Sequence, residues 1–464
     1  MTISRDPLLA DLRRILGDKG LMTTEDDRDA HATDSSGWDS IRPWVVACPA
    51  TTSEVSAVLA LCNENDVPVV PQGGLSGLVG GAVPVANGLA LSMHRMRGIE
   101  EFDANARTLE VWAGTPLQEA QDYAEERGFL LALDLGGRGS CQIGGNVSTN
   151  AGGNRVIRYG MTREQVLGLE AVLADGTVID ARNKLLKNNA GFDLKHLFIG
   201  TEGTLGIVTR ITLRLRALPR SQSVALCACT GFDDVIGLLR AADSSLGGNL
   251  TAFETMWQEF YDLALDVTPG AKRAFGEAYP MYVLIETRGG EQARDQESLE
   301  QFLGEAMGKG LIKDAVLSRS SDDVARLWSL RDASGEITRV LETFASLDVS
   351  IPINGMEAFI ERARHTLSTR WPAARGVYFG HIGDSNLHVV FGSPDFPASA
   401  KKEAEALVYE IVRDVKGSIA AEHGIGRAKR DYLDHSRTAA EIDLMRTVKH
   451  ALDPNGILNP GAVI

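Results

Sequence analysis

The distribution of glycine constrains this chain more than any other feature. Of its 48 glycines, 23 lie between Gly73 and Gly206, and 25 are spread over the rest of the 464 residues. That is about one residue in six within the window, against a usual background of about 7%. Glycine weakens helix and strand interiors, so such a density needs a reason. The usual reasons are tight turns and a backbone that must approach a ligand closely.

Around the glycines the pattern is that of an ordinary globular chain. Leu8, Leu9, Leu12, Ile15 and Leu16 predict an amphipathic helix over 8–16. Trp44-Val45-Val46 begins an α/β pattern, and Thr52-Ser53-Glu54 can cap a helix running to Cys62. Residues 67–71, 89–93 and 108–113 read as strands, and 116–127 as a helix. Ala174-Asp175-Gly176 between two apolar runs is a hairpin signal, and 207–215 alternates as a strand. Past about residue 220 glycine thins, and strands such as 281–285 alternate with long helical stretches, which suggests an α+β domain.

Composition excludes several classes. The net charge is −15, from 47 basic and 62 acidic residues, and no basic run concentrates it. A nucleic-acid partner is therefore not expected, since phosphate binding needs a concentrated basic face. Five cysteines at scattered spacing do not form a disulfide framework, and Cys227-Ala-Cys229 is too sparse for a thiolate zinc site. No apolar run reaches the roughly 18 residues of a membrane span. The N-terminus lacks the basic start and apolar stretch of a signal peptide. The expected placement is the cytoplasm, free or peripheral to the inner face of a membrane.

Four segments carry the glycine. Gln72-Gly73-Gly74-Leu75-Ser76-Gly77 continues to Gly80-Gly81; Gly136-Gly137-Arg138-Gly139-Ser140 leads into Ile143-Gly144-Gly145-Asn146; Thr149-Asn150-Ala151-Gly152-Gly153 follows; and Gly200-Thr201-Glu202-Gly203-Thr204-Leu205-Gly206-Ile207 closes the window. The first has neither the spacing of a dinucleotide fingerprint nor the Gly-Lys-Ser/Thr end of a P-loop. Its consecutive backbone N–H groups can still form a concavity for an anion. Together these segments resemble the FAD-binding domain of the vanillyl-alcohol oxidase/p-cresol methylhydroxylase flavoprotein superfamily, over residues 43–215. The resemblance implies that Gln72, Gly73, Gly74, Leu75, Ser76 and Gly77 form a pyrophosphate loop. It implies that Ser140, Ile143, Gly144, Gly145, Asn146, Thr149 and Gly152 form a second loop around flavin and pyrophosphate, with Glu202, Gly206 and Ile207 near the adenosine half. Several relatives attach FAD through a histidine in the first loop; Leu75 follows the glycine pair here, so non-covalent FAD is expected.

Nine histidines are present, and two patterns among them stand out. His381 and His388 flank a turn-like Gly-Asp-Ser-Asn, so the chain can fold back and point both rings inward; Glu422-His423 adds a carboxylate and a third imidazole. Two His and one Glu are a recognised ligand set for a catalytic metal, zinc above all, with an open position for substrate. Manganese and iron stay open. From spacing alone, structural or surface histidines remain the favoured reading over a metal site.

From residue 220 onward the chain resembles the C-terminal domain of FAD-linked D-2-hydroxy-acid dehydrogenases, on 380–388, on Ala421-Glu422-His423-Gly424-Ile425-Gly426 with Lys429-Arg430, and on 453–461. The resemblance implies that His381, His388 and Glu422 hold the metal, that His423 is the base, and that Asn459 returns to the flavin. Leu327-Trp328-Ser329-Leu330-Arg331 resembles the carboxylate-binding segment, which makes Arg331 the expected cation for the substrate. The implied fold is α+β: a two-subdomain FAD-binding domain over 1–218, a substrate (cap) domain with an antiparallel sheet over 219–424, and a segment over 425–464 returning to the first. A separate electron acceptor is implied (a quinone, a cytochrome or an electron-transfer flavoprotein), and a homodimer is carried as an expectation. An oxygen-using oxidase and a non-catalytic electron-transfer subunit are the competing readings.

The pattern departs from the D-2-hydroxyglutarate enzymes at three polar positions, which are Gly335, Ser346 and Val390 here. A second carboxylate buried without partners is costly. The expected substrate is therefore D-lactate or another short, less polar D-2-hydroxy acid, with D-2-hydroxyglutarate or D-malate as the alternative.

Overall fold

The computed structural model describes residues 5–464. The chain divides into two compact units. The first runs to Gly153, resumes over Gly160–Leu218 and takes in Glu422–Ile464; the second is Pro219–Ala421 together with the short insertion Asn154–Tyr159.

The first unit holds two principal sheets. One has four strands in the order Leu21–Met22, Val45–Ala47, Leu89–Ser92, Val69–Gln72. Leu89–Ser92 lies parallel to both of its neighbours, and this parallel core is buried on both faces. The other sheet is an antiparallel set of five, Ile99–Asp103, Thr108–Trp112, Ile207–Arg214, Val166–Val172 and Val178–Asp180. The Ala174-Asp175-Gly176 hairpin forms as expected, with the Leu173 N–H donating to the Thr177 carbonyl at 2.9 Å.

Local capping is legible in detail. The helix Thr52–Glu64 is capped one residue earlier than expected: the Thr51 hydroxyl accepts from the Glu54 N–H, and the Glu54 carboxylate accepts from the Ala50 N–H at 2.6 Å. Residues 143–149, expected as a loop, instead form a helix, Ile143–Thr149. Its two glycines lower helix propensity. A Cβ at Gly144 would stand 2.7 Å from the Ala113 Cβ, so glycine is what lets this turn pack flat against the neighbouring strand.

The C-terminal segment finds its partners in the first unit. The Val69 N–H donates to the Ile457 carbonyl and the Asn459 N–H to the Val69 carbonyl, both at 2.8 Å, so the tail extends the edge of the parallel sheet. The Asp453 carboxylate accepts from the N–H groups of Ile457 and Leu458, at 3.0 and 2.8 Å.

The second unit is built on one antiparallel sheet of seven strands, in the order Asp314–Leu317, Ser221–Cys229, Met281–Gly289, Leu250–Trp257, Arg375–His381, Asn386–Gly392, Phe344–Ser350. Helices Gln258–Val267, Ser321–Arg331 and Ser334–Leu341 pack on one face, around Phe260, Tyr261, Tyr282 and Trp328. The same face carries a buried carboxylate, Glu286. It accepts from Arg155 Nε (3.0 Å), Gln222 Nε2 (2.7 Å), Thr251 Oγ1 (3.0 Å) and Trp328 Nε1 (3.1 Å), and pairs with Arg288. Arg155 belongs to the insertion Asn154–Tyr159, so this ion pair fastens the insertion to the sheet. Burial pushes the Glu286 carboxyl up, but Arg155 and Arg288 outweigh it and hold its pKa at about 2.

Candidate active site

In the first unit the glycine loops meet one another. A Cβ at Gly74 would lie 1.9 Å from the Ser140 carbonyl oxygen, so only glycine permits this approach of the first loop to the second. Leu75 follows in the left-handed region at φ 54°, and the Ser35 hydroxyl donates to its carbonyl. Gln72 is fully buried and shapes the loop rather than facing out. Its Nε2 donates to the carbonyls of His31 and Ala82, both at 2.9 Å, and its Oε1 stands 2.7 Å from His31 Nδ1. Ser76 and Gly77 continue the loop past Asp34, whose carboxylate accepts from the Ser36 N–H.

The helix Ile143–Thr149 carries five of the expected residues, Ile143, Gly144, Gly145, Asn146 and Thr149. Open space lies where a Gly145 Cβ would stand. Beside it, Gln142 Oε1 is buried with no hydrogen-bond partner and faces Gly73, whose Cβ would lie 3.5 Å away. A buried amide oxygen without a partner, set between two glycine loops, fits a site that a polar cofactor completes. Sequence reading passed over Gln142; a polar residue directly before the Ile143-Gly144-Gly145 run was the available signal.

Glu202 and Asn459 bind their own chain. The Glu202 carboxylate accepts from the Ile425 and Gly426 N–H groups, at 2.7 and 2.9 Å. Burial raises its pKa, and these two amides oppose the rise. Asn459 Nδ2 donates to the carbonyls of Gly81 and Glu202 (3.0 and 2.8 Å), while its Oδ1 accepts from Arg427. These bonds fix the chain directly after Glu422-His423. A Cβ at Gly152 would meet Glu422 Oε1 at 2.6 Å, so Glu422 rests on bare backbone there. Gly206 similarly admits the Phe198 ring, and Ile207 opens its strand in the core.

In the second unit the candidate residues gather on the sheet face that also carries Tyr282 and packs against Phe260 and Trp328. His381 and His388 stand on paired strands with ring centroids 5.5 Å apart. Phe379 stacks on His388 at 4.8 Å, and the Arg331 guanidinium lies 4.9 Å from the Phe379 centroid. Arg331, expected from sequence as a substrate cation, ends the helix Ser321–Arg331 and is 5% exposed. Its Nε donates to Glu254 Oε2 at 2.7 Å, and Glu254 Oε1 stands 2.7 Å from His381 Nδ1. Burial pushes the Glu254 carboxyl up, but His381 and Arg331 prevail and hold it below the usual range. With Nδ1 bonded to a carboxylate, His381 offers Nε2 to a cation, the arrangement metal-ligating histidines commonly use. Asp348 pairs across the strands with His388, and its Oδ2 accepts from the Ala421 N–H at 3.2 Å. Glu422 is the next residue along the chain. Two imidazoles and a carboxylate suit a divalent cation such as zinc.

Comparison with known proteins gives the same class. Residues 43–182 match the family described as "FAD binding domain", and residues 218–463 that described as "FAD linked oxidases, C-terminal domain". The fold is that of p-cresol methylhydroxylase, to whose substrate-bound structure the chain is 16% identical at a TM-score of 0.78, covering 98% of this chain and 96% of that one. These matches define a flavoprotein oxidoreductase. Among curated relatives, the D-2-hydroxyglutarate dehydrogenase of Xanthomonas citri pv. viticola is 40% identical over 465 residues, 98% of this chain and 96% of that protein. The mitochondrial D-2-hydroxyglutarate dehydrogenase of Danio rerio is 41% identical over 417 residues, 90% of this chain and 77% of that protein. The chain belongs to the FAD-linked oxidase family, in its D-2-hydroxy-acid dehydrogenase branch, and is an FAD-dependent dehydrogenase.

Proposed function

We propose that this enzyme oxidises a short D-2-hydroxy acid such as D-lactate to its 2-oxo acid. FAD is held non-covalently, and His381, His388 and Glu422 hold a divalent cation, with zinc favoured by the ligand types. The observation that carries this reading is the buried Arg331–Glu254–His381 cluster on the sheet face that also bears His388. A buried guanidinium beside imidazoles is what an α-hydroxy carboxylate requires. The Nε edge of Arg331 is taken by Glu254, so the Nη edge meets the substrate carboxylate. A ring nitrogen of His423 takes the hydroxyl proton. Glu202 and Asn459 hold the loop that carries His423 by fixing the backbone just beyond it. When bound, FAD supplies the acceptor for the Cα hydride, and the cation supplies a Lewis acid for the hydroxyl oxygen. Leu75 in place of a histidine supports non-covalent attachment.

The chain's own side chains support the short substrate. Val390 is buried in the apolar cluster of the sheet face and pairs in register with Ser346, two residues along from His388 on the same face. Gly335 offers no side chain at all. The names of the relatives favour a second reading, D-2-hydroxyglutarate. Steady-state kinetics over D-lactate, D-2-hydroxybutyrate, D-malate and D-2-hydroxyglutarate separate the two. The expected result is a kcat/KM for D-lactate or D-2-hydroxybutyrate at least about tenfold above that for D-2-hydroxyglutarate. The reverse order establishes the second reading.

The proposed electron acceptor is a quinone, a cytochrome or an electron-transfer flavoprotein, and the proposed assembly is a homodimer. Among the described residues no helix is long and apolar enough to cross a membrane. Five unpaired cysteines, all buried, are compatible with the cytoplasmic placement proposed here.

A further inference from the structure

We infer that Glu254 is a positioning residue: one carboxylate sets both the nitrogen that His381 presents to the cation and the guanidinium that Arg331 presents to the substrate. This rests on the metal and substrate roles proposed above.

Glu254 sits in the middle of the strand Leu250–Trp257, whose eight residues are all buried. It lies opposite His381 in the register of the paired strands, so the two side chains share a face. Its two oxygens divide between two partners, His381 Nδ1 and Arg331 Nε, each at 2.7 Å. An ionised carboxylate only accepts hydrogen bonds. The proton of His381 is therefore fixed on Nδ1, and the lone pair is left on Nε2. That same Nε2 stands 3.4 Å from Arg331 Nη2. The tautomer of the imidazole, the direction of the guanidinium and the spacing between them thus depend on one side chain. A carboxylate serving only as the buried counter-ion of Arg331 would not need its second oxygen on His381.

Glu254→Gln keeps the size of the side chain and changes its hydrogen bonding. An amide offers one acceptor and one donor, so it cannot accept from both partners. If its NH2 faces His381, the imidazole proton must move to Nε2, where it blocks a cation. The test uses the FAD-loaded protein stripped of metal. Zn2+ affinity is read by competition with a chromophoric chelator, next to FAD absorbance, thermal unfolding and the KM for D-lactate. The expected result for Glu254→Gln is Zn2+ binding weaker by about 10–100-fold, with a raised KM and unchanged FAD content. Glu254→Asp keeps both acceptors and the charge, and is expected to recover part of the Zn2+ affinity.

Wild-type protein that binds Zn2+ tightly, with Glu254→Gln binding it equally well, overturns the role of Glu254 and leaves the metal site standing. Wild-type protein whose Zn2+ binding does not change in His381→Ala overturns the metal site itself. Loss of FAD and of the folded state in both Glu254 variants makes Glu254 a structural ion-pair partner, which also overturns the inference.

Discussion

Replacing His423 by Asn is expected to lower kcat by about 10²–10⁴-fold, the usual contribution of a positioned general base, while FAD content stays at the wild-type level. The residue follows Glu422 directly and precedes Gly424, which has φ 83°. A Cβ at Gly424 would stand 2.6 Å from Glu202 Oε1, and the next two amides donate to the same carboxylate. The turn is therefore held by backbone bonds in which the imidazole takes no part, and removing the ring should leave the turn in place. Rapid-mixing measurement of flavin reduction, with FAD quantified by absorbance, checks both halves of the prediction. A variant reducing its flavin within a few fold of the wild-type rate would remove His423 from the role of base.

Replacing Glu286 by Ala is expected to destabilise the second unit by about 3–5 kcal/mol, the usual cost of leaving a buried charge without its partner. Arg155 and Arg288 are both largely buried and would lose their counter-ion together. The insertion Asn154–Tyr159 should detach first, because Arg155 fastens it to the sheet. The same carboxylate sets an acid limit. Its folded pKa is about 2, depressed from an ordinary 4.5, so its contribution is complete above about pH 4.5 and is lost as pH falls through about 2. The depression is worth about 3 kcal/mol at about 1.4 kcal/mol per unit. Urea unfolding of wild type and Glu286→Gln between pH 6 and pH 3 should show the wild-type advantage narrowing at the acid end. A gap that is independent of pH would contradict the assignment.

What was legible in the sequence divides along physical lines. The glycine loops could be read because a backbone that approaches another backbone within van der Waals distance tolerates no Cβ, and Gly74 against Ser140 is such a place. The hairpin at Ala174-Asp175-Gly176 and the helix near the N-terminus follow from local chemistry, and both formed. The helix Ile143–Thr149 did not announce itself, because two adjacent glycines argue locally for a loop and only the contact with Ala113 reverses that.

Arg331, His381 and His388 lie in motifs that the sequence displays, whereas the buried carboxylates of this sheet, Glu254 beside Arg331 and His381 and Glu286 beside Arg155 and Arg288, lie in none. Glu254 lies inside an apolar strand run, and Glu286 directly follows another, so both read as parts of core strands. Their partners are 77 and 127 residues away for Glu254 and 131 away for the Glu286–Arg155 pair, distances that no local pattern spans. The signal was present in another form: an acidic residue in an otherwise buried run must be paired, and asking for its partner points toward Arg331 and His381.

In the proposed reaction a D-2-hydroxy acid passes its hydride to FAD with the help of a cation held by His381, His388 and Glu422. The measurement that bears on it most directly is anaerobic titration of the purified protein with D-lactate and its short homologues, following the flavin absorbance with and without a chelator. The expected result is bleaching of the flavin by the D-enantiomer, loss of that bleaching after chelation, and its return on adding Zn2+. Bleaching at an unchanged rate in the chelated protein, or no bleaching by any D-2-hydroxy acid, would contradict it.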